Sequence, residues 1–128
     1  MLNYYFYVID NYDISQRRFL GLRPAIALIE ERYKILTELS NIKIEYAKII
    51  IDNLNGLQTE YIWGTDMLKI KSYRGFSKIF YTVNEVCDTE FEERIPNIML
   101  VEILKNWIVF LEVVEKKFLS LSVSAKTN

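Results

Sequence analysis

Residues Pro96–Leu121 read PNIMLVEILKNWIVFLEVVEKKFLSL, and their pattern decides the fold class. In helical projection, Leu100, Ile103, Leu104, Trp107, Ile108, Phe110, Leu111, Val114 and Phe118 fall on one side. Glu102, Lys105, Asn106, Glu112 and Lys116 fall on the other. Pro96 stands at the start, where a missing N–H costs nothing. The apolar side is wider than the roughly 100° stripe of a surface helix. Such a helix needs a sheet or other helices to cover it. Val109 and Val113 lie on its polar side and leave a homodimer or partner contact open.

Upstream of the helix the hydrophobic period is two. Glu60–Trp63 reads as a short strand or a bend, closed by Gly64-Thr65-Asp66. Met67–Tyr73 alternates Leu68, Ile70 and Ser72 against Lys69, Lys71 and Tyr73. Arg74-Gly75 makes a turn and Ser77–Val83 a second strand, which predicts a hairpin. Thr89–Ile95 reads as a third, edge strand.

The N-terminal half is more mixed. Asn3–Asp10 (NYYFYVID) is nearly continuous in apolar residues and reads as a strand buried on both faces. Asn11–Arg23, polar and with Arg17, Arg18 and Gly21, reads as a connection with room to fold locally. Pro24–Leu39 reads as a helix, with Pro24 in its first turn. Ile26, Leu28, Ile29, Tyr33, Ile35, Leu36 and Leu39 share its face, and Glu30 and Lys34 make an i, i+4 pair. Arg32, the one charge on that face, snorkels there. In Ser40–Gly56, the alternation of Ile42-Lys43-Ile44-Glu45-Tyr46 allows a strand. Ser40 and Asn41 as N-caps, with Asn55-Gly56 as a stop, favour a helix in a hairpin with the one before. Grouped rather than alternating helices and strands predict an α+β fold. It has a small antiparallel sheet with helices packed on one face and a long C-terminal helix. Nothing resembling a repeat or linker divides residues 1–128, so one domain is expected.

The 128 residues include no histidine and one cysteine, and their net charge is −1. Without histidine, Ser-His-Asp chemistry is excluded, and with one thiol no intramolecular disulfide or Cys-rich zinc site can form. Cys87 sits between Glu85 and Asp88, which disfavours its thiolate. The four glycines are isolated and form no phosphate loop. Neither a signal peptide nor a membrane-spanning run is seen. These features lead us to expect a cytoplasmic, non-catalytic protein with no cofactor and no bound metal.

Two charge clusters stand out. Residues 67–84 carry Lys69, Lys71, Arg74 and Lys78 with no acid, interleaved with Tyr73, Phe76, Phe80 and Tyr81. Arg74–Tyr81 resembles the octamer of the RNA-recognition motif, except that Lys78 stands where that family stacks an aromatic on a base. The companion hexamer is not evident in the first strand. The bland account of hairpin 69–81 is an amphipathic pair with its basic side in water. The second cluster, Glu85, Asp88, Glu90, Glu92 and Glu93, has only Arg94 against it. It reads either as solvated, gatekeeping charge on an edge strand or as a docking surface for a basic partner.

Trp63-Gly64-Thr65-Asp66, the hairpin behind it and the acidic stretch precede Ile95-Pro96. Leu104-Lys105-Asn106-Trp107 and Phe110-Leu111-Glu112 follow. Together these resemble small bacterial immunity proteins of contact-dependent and other polymorphic toxin systems, over about half the chain. The resemblance implies a cytosolic protein that binds one cognate toxin, often a nuclease, and blocks its active site. On that expectation Glu85, Asp88, Glu90, Glu92 and Glu93 contact the toxin. The alternative is a small RNA-binding domain using hairpin 69–81.

Overall fold

A computed structural model describes residues 2–81 and 92–127. The fold is α+β, with two small antiparallel sheets and a long C-terminal helix. β1 (Tyr4–Asp13) and β2 (Arg18–Leu28) form a two-stranded ribbon. A 3₁₀ helix (Glu31–Asn41) and α1 (Ile44–Leu54) follow. β3 (Tyr61–Gly64), β4 (Leu68–Ser72), β5 (Phe76–Tyr81) and β6 (Glu92–Pro96) make a four-stranded meander in sequence order. α2 (Asn97–Thr127) closes the chain.

α2 is the expected helix, and Pro96 ends β6 one residue before it. Leu100, Ile103, Leu104 and Trp107 have no exposed surface. Ile108, Phe110 and Leu111 pack partly buried beside them, and Val109 and Val113 face outward. Phe118's side chain lies outside those described. Opposite this face sit Trp63, Leu68, Ile70, Ile79 and Ile95, all buried on one side of the meander. Each such side chain contributes about 1.5–3 kcal/mol when fully buried. α1 adds Ala47, Ile50, Ile51 and Leu54, the i, i+3, i+4, i+7 pattern of an amphipathic helix. Its start differs from expectation. Lys43 is the N-cap, with no side-chain cap bond, and Ser40 and Asn41 belong to the 3₁₀ helix.

The helix expected over Pro24–Leu39 is corrected. Its first part is strand β2, and Asn11–Arg23 is mostly paired ribbon rather than a connection. Ile29 N–H donates to Asn3 C=O at 3.0 Å, which marks Asn3 and Ile29 as a hydrogen-bonded pair. Counting along the register, Val8 and Pro24 fall on a non-hydrogen-bonded pair. Pro24 therefore points its ring nitrogen away from β1 and breaks no ladder bond.

The second part is 3₁₀, and its packing shows why. Tyr33, Leu36, Leu39 and then Ile42 are all buried, spaced by three. In an α-helix, steps of three drift by about 60°, so Ile42 would face away from Tyr33. With 3.0 residues per turn they form one row. Tyr33 N–H to Glu30 C=O and Ile42 N–H to Leu39 C=O, each 3.0 Å, are the corresponding i→i−3 bonds. The same period re-pairs the charges, with Lys34 bonding Glu31 at 2.8 Å rather than Glu30. Arg32 lies over the Tyr33 ring and reaches Glu30 at 3.6 Å.

β1 is also corrected, because it is covered on one face only. Tyr4 and Phe6 pack toward α2, where Phe6 meets Trp107 and Phe110 with ring centroids 5.4 and 5.2 Å apart. Tyr5 and Tyr7, on the other face, are 56% and 41% exposed. The turn after β1 is held by Asp13, whose carboxylate accepts from Ser15 N–H at 3.0 Å and Ser15 O–H at 2.7 Å. It also accepts from Gln16 N–H at 3.2 Å. These bonds, the Ser15 hydroxyl first, hold the Asp13 carboxyl below its usual range.

Candidate interaction surface on the four-stranded sheet

α1, α2 and the 3₁₀ helix lie on the buried side of the meander, so the register sorts the other face from the core. Outward by register go Ile62 on β3, Lys69 and Lys71 on β4, Phe76 and Lys78 on β5, and Arg94 on β6; Phe80, on the same side of β5, is buried. Tyr73, just past β4, joins this face beside Phe76. Lys71 pairs with Lys78, and Lys78 with Arg94, so three cations stand side by side across three strands. Like charges directly opposite cost roughly 0.2–1 kcal/mol per pair. Each of these cations also lies over a ring. Lys71 is 5.3 Å from the Phe80 centroid, Lys78 is 5.8 Å from Tyr73 and Arg94 is 5.2 Å from Phe76. Such contacts return about 0.5–1 kcal/mol each at exposed sites, which roughly offsets the repulsion. The row is therefore tolerated in the free chain.

The Arg74–Tyr81 octamer spans the β4–β5 turn and β5, an interior strand. Phe76 and Lys78 both face outward, so the lysine occupies an outward-facing position.

Beneath this face a one-way chain of hydrogen bonds fixes the hairpin to α2. Trp63 Nε1–H donates to Ser72 Oγ at 2.8 Å. Ser72 O–H donates to Ser77 Oγ at 2.6 Å, a direction set because Ser77 O–H goes on to Asn97 Oδ1. Asn97 Nδ2–H ends the chain on Tyr73 C=O at 2.6 Å, while Asn97 N–H reaches Gly75 C=O at 3.1 Å. All four side chains are buried. Asn97→Ala removes the last acceptor and donor together and strands the Ser77 hydroxyl and the Tyr73 carbonyl. It is expected to cost about 2–4 kcal/mol, read as a lower urea midpoint at unchanged slope.

Two further hydrogen bonds tie this sheet to the elements before it. Tyr46 Oη accepts from Gly64 N–H at 3.1 Å, and Tyr33 O–H donates to Arg94 C=O at 3.1 Å. Burial and, after it, the neighbouring Tyr46 push the Tyr61 phenol above its usual pKa. Thr65 Oγ1, in the β3–β4 turn, is buried without a partner among the described residues.

The sequence-derived site is only partly brought into view. Glu85, Asp88 and Glu90, with Cys87, lie outside the described residues, as does the Glu92 side chain. Glu93 is half-buried on β6, an edge strand as expected, on the core side opposite Ile79. Sequence reasoning misses the cation row, because it depends on cross-strand pairing with Arg94, whose neighbours in sequence are acids. Elsewhere, an open groove of about 500 Å³ runs over Ala25 and Ala27, between Tyr7 and Ile9 on one wall and Lys34 and Glu38 on the other. Both of these charges already have intramolecular partners, Glu31 and Asn41. Among the described residues no three of His, Cys, Asp and Glu come together to hold a metal ion. None of their helices is long and apolar enough to cross a membrane. No family model, curated protein or solved structure matches the chain.

Proposed function

We propose that this chain is a non-catalytic interaction protein of the immunity type, which neutralises a cognate toxin by stoichiometric occlusion. The supporting observation is the one-sided meander. Its helices occupy one face, and the other carries Tyr73, Phe76 and Arg94 beside the lysines of the cation row, bordered by the edge strand β6. Aromatic residues and Arg are the types that anchor protein interfaces. The acidic run of residues 85–93 leads directly into that border strand. Its charge matches the basic active site of a nuclease and would speed encounter. Such an inhibitor acts in the cytosol of the cell that makes the toxin.

The test is to identify the neighbouring genes and to titrate the chain against any toxin domain they encode; the absence of one there counts against the reading. A one-to-one complex that abolishes toxin activity is expected. Reversing Glu90 and Glu92 to Lys together, and leaving the core-side Glu93 in place, is expected to weaken the complex about 100-fold, since each close charge pair is worth roughly 1.5 kcal/mol or more. Unchanged affinity removes the acidic run from the interface.

The cation row favours a second reading, a face that binds single-stranded RNA by phosphate contacts and ring stacking. Binding of a roughly 12-nucleotide RNA that weakens steeply with salt and is lost on changing Lys69, Lys71 and Lys78 to Ala would replace the inhibitor reading.

A further inference from the structure

We infer that β1 pairs antiparallel with β1 of a second copy of this chain, about a two-fold axis through Phe6. The argument starts from which backbone groups the ribbon leaves unused. Asn3 and Ile29 are hydrogen-bonded to each other, so Tyr5, Tyr7 and Ile9 also spend their amides on β2. Tyr4, Phe6 and Val8 then point their N–H and C=O groups to the outer edge. On β2 the equivalent groups are already blocked. Pro24 has no N–H, and Ile26 N–H donates to Ser40 Oγ at 2.9 Å. No such device protects β1 among the described residues.

The edges of the fold are treated unequally. β6 carries Glu92, Glu93, Arg94 and Pro96, and β3 is only four residues long. Charge, proline and shortness are the usual defences of an edge strand. From Leu2 to Ile9 the chain has no charge, no proline and no glycine, and its bulge comes only at Asn11/Tyr12. Ile9 extends the exposed apolar strip of Tyr5 and Tyr7, and Val8 adds an exposed apolar side chain on the opposite face.

The occupant that fits is the strand itself. A two-fold axis at Phe6 sets Phe6 against its own copy and Tyr4 against Val8, so that each free N–H meets a free C=O. The same axis sets Tyr5 opposite Tyr7 of the copy, next to the intramolecular Tyr5–Tyr7 pair at 5.9 Å. Cross-strand aromatic pairs are favourable, and no like charges face each other anywhere along Asn3–Ile9. The product is a continuous four-stranded sheet with both α2 helices on one side. One paired edge buries less than a standard interface of about 1,600 Å², so a dissociation constant on the order of 10 μM is expected.

Sedimentation equilibrium of the full chain between about 1 and 300 μM tests this, bracketing that constant. A monomer–dimer equilibrium is expected. Val8→Pro removes an outward N–H that the ribbon does not use, as Pro24 does across from it, and is expected to give a monomer at all these concentrations. Tyr5→Lys with Tyr7→Lys sets like charges opposite each other across the axis and is expected to do the same without touching the backbone. In wild type, amide exchange at Tyr4, Phe6 and Val8 slows as concentration rises, while Tyr5 and Tyr7 are protected throughout. A wild-type chain monomeric at the top concentration overturns the inference and leaves the edge to a strand from another protein. A dimer that survives both variants overturns it too, and points to Val109 and Val113 instead. Toxin neutralisation by the monomeric variants is a separate reading, since the meander carries that role.

Discussion

Gly64→Ala is expected to lose about 3–5 kcal/mol, close to the whole stability of a marginal domain. Gly64 ends β3 with φ +149°, a backbone conformation that side chains rarely adopt. A Cβ built there would lie 2.0 Å from Leu68 C=O and 3.0 Å from Leu68 C, both backbone atoms of the adjoining strand. They cannot turn aside as the end of a side chain can. Leu68 C=O is also the acceptor for Thr65 N–H at 2.8 Å, the bond that closes the β3–β4 turn. Pushing it away opens the turn, pulls Gly64 N–H from Tyr46 and disturbs Trp63 at the head of the buried hydrogen-bond chain. Gly75→Ala is the control. Its φ of +88° carries the backbone cost, but nothing lies within 4 Å of the added carbon, so about 1–2 kcal/mol is expected. Urea unfolding of both variants separates steric clash from backbone strain. Equal losses would mean that the close approach of Gly64 to Leu68 is wrong.

The elements that the sequence makes legible are those where one period dominates. α2 shows 3.6-residue spacing over many turns, and β4–β5 alternates cleanly between Lys and apolar residues. Pro24–Asn41 misleads because its signals have two meanings. Proline serves the first turn of a helix and equally an outward-facing position on an edge strand. The row Tyr33, Leu36, Leu39, Ile42 is a period of three, which only Ile42 distinguishes from an α-helical face. Reading Ile42 as the start of the next element hid it. For β1, a continuous apolar run is compatible with burial on both faces or with an exposed aromatic strip, and composition does not choose. The candidate surface is the least legible part. Lys71, Lys78 and Arg94 become neighbours only through the β4–β5–β6 register.

Trp107 carries the other large effect, because it serves packing and hydrogen bonding at once. Its side chain has no exposed surface and contacts the Phe6 and Phe110 rings at 5.4 and 5.8 Å. Its Nε1–H donates to Ile42 C=O at 2.8 Å, in the short link between the 3₁₀ helix and α1. That carbonyl is the junction where period three gives way to period 3.6, and the indole is a partner from outside both helices. Trp107→Ala removes the ring and leaves a cavity where the ribbon, α2 and the link meet, at an expected cost of about 4–5 kcal/mol. Trp107→Phe keeps most of the apolar area but orphans the Ile42 carbonyl, at an expected cost of about 1–3 kcal/mol. The ratio of the two losses measures how much of the residue's role is packing. A companion readout comes from amide exchange. In Trp107→Phe, protection should fall first at Ala47, whose N–H bonds Lys43 C=O at 2.9 Å in the first turn of α1. It should hold in β4 and β5, which the Trp63–Ser72–Ser77–Asn97 chain secures independently. A loss under about 0.5 kcal/mol for Trp107→Phe, with exchange unchanged at Ala47, would mean that water takes the indole's place and that the link is not held by α2.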